Sequence, residues 1–292
     1  SITGEGVRAS HDILGEIVPL QRTEIPSGTR CFDWMIPKEW IVREAYVVTP
    51  AGDRILDFSE NNLHLVSYSM PFRGRMTLQE LDSRLFSLPH MPEAVPYRTS
   101  YYKEDWGFCI SQNQRDSLAE GEYEVVVDSD LVDGSMTMSE CVLPGETKQE
   151  VLISTYTCHP SMANNELSGP LVAAFLARRL AALPKRHLTY RFVFQPETIG
   201  AIATLQRIGD HLRKNLVAGY VVTCVGDTGN FSYKRSRRGD TLADRACEHI
   251  LANSGGPAKI TDFRPMGSDE RQYCSPGFDL PVGVLSRSEP GT

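Results

Sequence analysis

From residue 151 onward, apolar runs of strand length alternate with longer amphipathic stretches. Residues 151–156, 190–194 and 220–225 are three strand-length runs rich in apolar residues, each ending where polar residues open a loop. Between the first two, 171–183 repeats its apolar residues at helical spacing and stops before Pro184. A further helix is expected to open near Ile199 and another over 241–253, the latter ended by Ser254-Gly255-Gly256-Pro257, with a last strand over 282–285. Strands covered on both faces read as unbroken apolar runs, so this order predicts an α/β domain with a parallel or mixed central sheet.

The stretch 31–111 has another texture. It is aromatic and strand-rich, turns at Pro50-Ala51-Gly52-Asp53, and carries a polar helical pattern over 78–88. A helical pattern over 6–17 precedes it and the α/β alternation follows it. The expected organisation is therefore a discontinuous α/β domain, 1–30 and 112–292, carrying a smaller β-rich insertion at 31–111.

Composition narrows the function classes. With 292 residues, 41% hydrophobic and 23% charged, the chain can bury a sizeable core. A net charge of −7 gives nucleic acid or an anionic membrane no general attraction to it. Lys234, Arg235, Arg237 and Arg238 form a local basic stretch that suits either an anionic substrate group or a solvated loop. No apolar run reaches the roughly 20 residues of a membrane helix, and no leader pattern opens the sequence. The seven cysteines lack paired spacing, which fits reduced thiols and a cytoplasmic location.

Chemistry concentrates at the ends of the three apolar runs. The first leads into Thr157-Cys158-His159-Pro160-Ser161-Met162-Ala163-Asn164-Asn165-Glu166-Leu167-Ser168-Gly169. In an open α/β sheet ligands bind at the carboxyl ends of strands, so His159 and an amide or carboxylate a few residues later are positioned to meet one ion. The second run leads into Gln195-Pro196-Glu197-Thr198, where Glu197 suits a general base and equally suits capping of the helix near Ile199. The third leads into Gly226-Asp227-Thr228-Gly229, which by itself reads as an ordinary turn. Delivery of His, Glu and Asp by successive strands to one sheet edge favours a shared site.

The order of these motifs resembles the co-catalytic zinc aminopeptidases, and more closely their aminopeptidase-like relatives with an inserted domain of unknown function. The closer resemblance spans nearly the whole chain and includes Glu24-Ile25-Pro26-Ser27-Gly28-Thr29, Cys31-Phe32-Asp33-Trp34, Trp106-Gly107-Phe108-Cys109 and Asp269-Glu270-Arg271-Gln272-Tyr273-Cys274. It implies a zinc-exopeptidase-like (phosphorylase/hydrolase-like) three-layer α/β sandwich with a mixed central sheet. It further implies His159 as a metal ligand, Asn165 at the metal-bridging position, Asp227 as a ligand of a second metal position and Glu197 as general base. Zinc is the implied cofactor, and a further His ligand is expected beyond Gly291-Thr292.

Two residues depart from the aminopeptidase pattern. The bridging position holds Asn165 where Asp is expected, and Thr198 follows Glu197 where a second carboxylate is expected. Fewer anionic donors compensate two neighbouring cations less well, which favours a single metal. The leading expectation is a metal-dependent hydrolase of amide bonds in a small peptide or other small amide. In it Glu197 moves the proton of an activated water, and Asp269, Glu270 and Arg271 hold charged ends of the substrate. The rival expectation is a repurposed, non-catalytic member with a degenerate metal site, acting as a binding or scaffold protein. A homo-oligomer is compatible with either.

Overall fold

A computed structural model describes residues 2–287. Two compact units emerge, Pro37–Ser135 and a larger one made of Ile2–Ile36 with Met136 onward. These limits differ from the insertion expected at 31–111, for two local reasons. The hairpin of Arg30–Cys31 and Trp34–Met35 stays with the larger unit, where Phe32 N–H donates to Gln206 Oε1 at 2.7 Å and Gln206 Nε2 donates to Arg30 O at 3.1 Å. At the other end, the strand Glu122–Val132 pairs antiparallel with Glu39–Val48 and so belongs to the smaller unit.

The smaller unit is an antiparallel four-stranded sheet in the order Arg54–Ile55, Glu39–Val48, Glu122–Val132, Phe72–Thr77. Alternate residues of these strands, Ala45, Val47, Tyr123, Val125 and Val127, point into a core shared with Leu65, Leu81, Phe108 and Ile110. The aromatic texture becomes stacked pairs, Trp40 with Tyr68 and Phe72 with Trp106. The helix expected over 78–88 is only Leu78–Asp82, opened by a Thr77/Glu80 capping box. Leu85–Phe86 leaves it to pair in parallel with Phe108–Cys109.

The larger unit is built on an eight-stranded mixed sheet. Its strands in chain order are β1 (Gln21–Pro26), β2 (Ser135–Leu143), β3 (Glu150–Tyr156), β4 (Thr189–Gln195), β5 (Leu216–Val222), β6 (Phe231–Lys234), β7 (Ala258–Thr261) and β8 (Val282–Ser286). They lie in the order β1-β2-β4-β3-β5-β8-β6-β7. The central four, β4, β3, β5 and β8, run parallel, while β2 and β6 join them antiparallel. Every residue of β3 is buried, as expected of a parallel strand covered on both faces.

Helices α1 (Glu5–Ile17), α2 (Gly169–Ala181), α3 (Ile199–Asn215), α4 (Leu242–Ala252) and the short α5 (Glu270–Tyr273) flank the sheet strands in sequence. Val7, His11 and Leu14 of α1 recur at helical spacing and are buried. α2 opens on Gly169-Pro170 and buries the small side chains of Ala173, Ala174 and Ala177. That allows a close approach. A Cβ on Gly169 would lie 2.5 Å from Thr155 Oγ1 and collide with the Val222 carbonyl oxygen, so only glycine lets α2 sit against β3 and β5 at this point. Ile153, Phe192, Phe194 and Val222 of the sheet complete that core. All seven cysteines are buried and free, and among the described residues no helix is long and apolar enough to cross a membrane.

Candidate functional site

Parallel pairing of β3 with β4 sets Tyr156 opposite Gln195, and Thr157 N–H extends the ladder to Gln195 O at 3.0 Å. The residues that follow, Cys158-His159 and Glu197-Thr198, therefore leave the sheet side by side. β5 ends beside them at Val222 and continues through Thr223 and Cys224. Each exit is sharply bent: Ser161, Thr198 and Cys224 adopt φ of 57°, 66° and 49°. Left-handed backbone is costly for a β-branched residue, so Thr198 needs support. Asp269 supplies it, accepting Thr198 N–H at Oδ1 (2.6 Å) while its Oδ2 accepts from Gln195 Nε2 (3.2 Å).

After Ser161 the chain makes a π-helical turn, Asn164–Ser168, before α2. This turn swings Glu166 inward. Its carboxylate accepts from Cys158 N–H and pairs with His159 Nδ1, leaving His159 Nε2 3.6 Å from Glu197 Oε2. Asn165 Nδ2 lies 3.5 Å from His159 Nδ1, and Asn165 Oδ1 accepts from Tyr156 OH at 2.7 Å and lies 3.2 Å from Thr223 Oγ1. Cys158 Sγ accepts from Glu197 N–H at 3.3 Å. Behind this layer, buried His11 reaches Thr157 Oγ1 at 2.9 Å and Ser139 Oγ at 2.7 Å.

The structure thus joins His159, Asn165 and Glu197, and it sets Asp227 apart. The Asp227 carboxylate accepts from Asn164 Nδ2 at 2.7 Å and from Gly229 N–H at 2.7 Å, the latter a local Asx turn. Among the described residues, the His, Cys, Asp and Glu side chains whose donor atoms gather within 4.8 Å of one another are Cys158, His159 and Glu166, without Asp227. Glu166 was only one of several candidates in its turn. Nothing in the sequence marks the π-helical geometry that aims it back at His159.

Two of the three expected substrate residues need correction. Asp269 and Glu270 are both fully buried, so they face the interior rather than a substrate. Asp269 holds the Thr198 turn, and Glu270 forms an ion pair with Lys234 at 2.5 Å. The basic stretch is likewise partly consumed, since Arg235 pairs with Glu248 and Asp262. Arg271 remains part-exposed and donates from NH2 to Thr198 Oγ1 at 2.9 Å.

Charge is unusually dense here. Burial raises the Glu197 carboxyl to about 7, helped by the nearby Asp269 and eased by His159. Burial likewise raises Asp269 to about 6, against the hydrogen bonds from Thr198 and Gln195. For His159 burial disfavours the charged ring, but the Glu166 hydrogen bond and the fields of Glu166 and Glu197 outweigh it and raise its pKa. The Cys158 thiol is pushed far up by burial and by the same two carboxylates, which keeps it from acting as a thiolate.

The donor set suits one divalent cation better than two. A His whose Nδ1 is anchored by a carboxylate presents Nε2 in a fixed direction, the usual arrangement of a metal-ligating imidazole. Glu197 Oε2, 3.6 Å from Nε2, is within reach of a water held beside the imidazole, the place of a general base rather than of a ligand. A second ion beside it finds a neutral Asn165 whose oxygen already accepts from Tyr156, and at Thr198 a hydroxyl already bonded to a guanidinium.

Comparison with known proteins agrees with this architecture. The family model described as domain of unknown function DUF4910 matches residues 1–292. A Clostridium acetobutylicum protein, named for polysaccharide biosynthesis and an aminopeptidase-like domain, is 50% identical over 288 residues, covering 99% of this chain. The chain spans 66% of that relative's length. The crystal structure of a candidate peptidase from Clostridium acetobutylicum matches with a TM-score of 0.96 at 49% identity, over 100% of this chain and 68% of that one. A zinc aminopeptidase from Bacillus subtilis shares the fold, with a TM-score of 0.69 at 11% identity over 99% of this chain and 81% of its own. With its mixed central sheet and zinc-exopeptidase-like fold, the chain belongs to the DUF4910 family of aminopeptidase-like proteins.

Proposed function

We propose that the protein is a metal-dependent hydrolase that cleaves an amide bond in a small substrate. The observation that carries this reading is a single imidazole bracketed by carboxylates, Glu166 at Nδ1 and Glu197 at Nε2, where two parallel strands end. His159 would hold the ion through Nε2, and Asn165 and Asp227, engaged with Tyr156 and with Asn164 and Gly229, would have to give up those hydrogen bonds to add oxygen donors. When bound, zinc supplies Lewis acidity that polarises a carbonyl and makes water acidic near neutral pH. The chain's own contribution is proton transfer and orientation. Glu166 fixes the ring of His159. Glu197 accepts a proton at Oε2 and returns it to the departing amine.

The names of the Clostridium acetobutylicum relatives support the peptidase-like half of this reading, and the mention of polysaccharide biosynthesis leaves room for an amide on a sugar. A second reading, a binding protein with a degenerate metal site, is favoured by the engagement of Asn165 with Tyr156 and of Thr198 with Arg271. Turnover separates them. Zinc-loaded protein should hydrolyse members of a panel of aminoacyl anilides and N-acetylated sugars and amino acids, and Glu197→Gln should lower that rate about 100-fold or more. No hydrolysis of any member by protein that binds zinc favours the second reading.

A further inference from the structure

We propose that Arg271 recognises a carboxylate on the ligand of this site, beside the bond held near Glu197. The inference deepens the small-amide reading above and relies on it only for the location of the pocket.

Arg271 is a cation whose neighbouring acids are committed elsewhere. Asp269, two positions before it, spends Oδ1 on Thr198 N–H and Oδ2 on Gln195. Glu270, the residue before it, is paired with Lys234 at 2.5 Å. Among the described residues, no carboxylate forms an ion pair with Arg271 within 4.0 Å. Its hydrogen-bond partner is the neutral hydroxyl of Thr198, and its Nε is buried with no partner. Residues on either side of it, Asp269, Glu270 and Tyr273, are fully buried, whereas Arg271 itself keeps part of its surface exposed. A short helix, buried at its first and last residues, therefore holds a positive charge beside the residue next to Glu197.

Leaving a half-buried charge unpaired is unfavourable, and the deficit is removed when an anion arrives. The guanidinium is planar and presents parallel N–H groups, a match for a carboxylate that a lysine does not reproduce. A neutral ligand would leave the guanidinium with only the field of Asp269 and no direct ion pair, and would lose the water around it. Discrimination between an acid and its amide should thus be large, because the unpaired group is on the protein.

The test needs no turnover. Binding of N-acetyl-L-aspartate and N-acetyl-L-glutamate is measured by calorimetry against N-acetyl-L-asparagine and N-acetyl-L-glutamine, with inorganic phosphate as a further probe. At least one acid should bind about tenfold or more tighter than its amide, the Arg271→Gln variant should bring that ratio close to one, and Arg271→Lys should keep an intermediate ratio. Equal binding of each acid and its amide by wild-type protein, an unchanged ratio in Arg271→Gln protein whose melting temperature matches wild type, or tighter binding of phosphate than of either carboxylate overturns the proposal. Carboxylate preference without hydrolysis of any amide leaves the assignment of Arg271 standing and removes the hydrolase reading instead.

Discussion

His159 Nε2 lies 3.6 Å from Glu197 Oε2, while its Nδ1 is bonded to Glu166 on the turn that follows. Both ring nitrogens therefore face carboxylates, and the imidazole has little freedom to rotate. This arrangement depends on strand register, which sets Tyr156 opposite Gln195, and on the π-helical turn that brings Glu166 back.

Glu166 acts through His159 and Cys158 rather than on a substrate. Its two oxygens accept from Cys158 N–H and bond the His159 ring. A Gln there offers one acceptor for two donors. Glu166→Gln is expected to weaken zinc binding about 10- to 100-fold, read by competition with a chelating indicator. Unchanged affinity would mean that the ring is oriented by other contacts.

Packing beneath the site gives a second prediction. Because a Cβ on Gly169 would strike the Val222 carbonyl and Thr155, Gly169→Ala should push α2 off the sheet and cost about 1–3 kcal/mol in chemical denaturation. A neutral effect would show that α2 shifts freely at its first turn.

A third prediction concerns pH. Burial, aided by Arg22, lowers the His11 pKa to about 4, and the ring stays neutral between Ser139 and Thr157. A histidine with a depressed folded pKa contributes stability that is present above its unfolded value of about 6.5 and is lost as pH falls towards 4. The loss should approach about 3 kcal/mol. His11→Gln should flatten that part of the unfolding free energy between pH 7 and 4 relative to wild type, and an equal slope in both proteins would contradict it.

Much of the larger unit was legible because its strands are buried on both faces. Largely apolar runs and helical spacing mark β3, β4, β5, β8, α1, α2 and α4 in the sequence to within a few residues. The strands at the sheet margins, β1, β6 and β7, were not marked. They are short and partly exposed, so no apolar run distinguishes them from loops. β2 is well buried, but its Ser, Thr and Glu residues break the apolar run. The smaller unit's long strand Glu122–Val132 was missed as well, and with it the limit at Ser135.

The meeting of His159 and Glu197 could be anticipated because each lies just past a strand end, where fold geometry fixes position. Asp227 lies farther along a loop, and there local turn chemistry with Asn164 and Gly229 decides where the carboxylate points. Asp269 and Glu270 were expected at a substrate because a cluster of charged side chains suits the charged ends of a small amide. Their burial follows from tertiary partners, Thr198 and Lys234, that no local pattern reveals.

Zinc stoichiometry of the purified protein, measured by elemental analysis after metal loading and dialysis for wild type and His159→Ala, tests the central claim most directly. The account predicts about one zinc per chain in wild type and near-complete loss in the variant. Wild-type protein that retains no zinc, or a His159→Ala protein that retains it fully, would contradict a metal centre built on this imidazole.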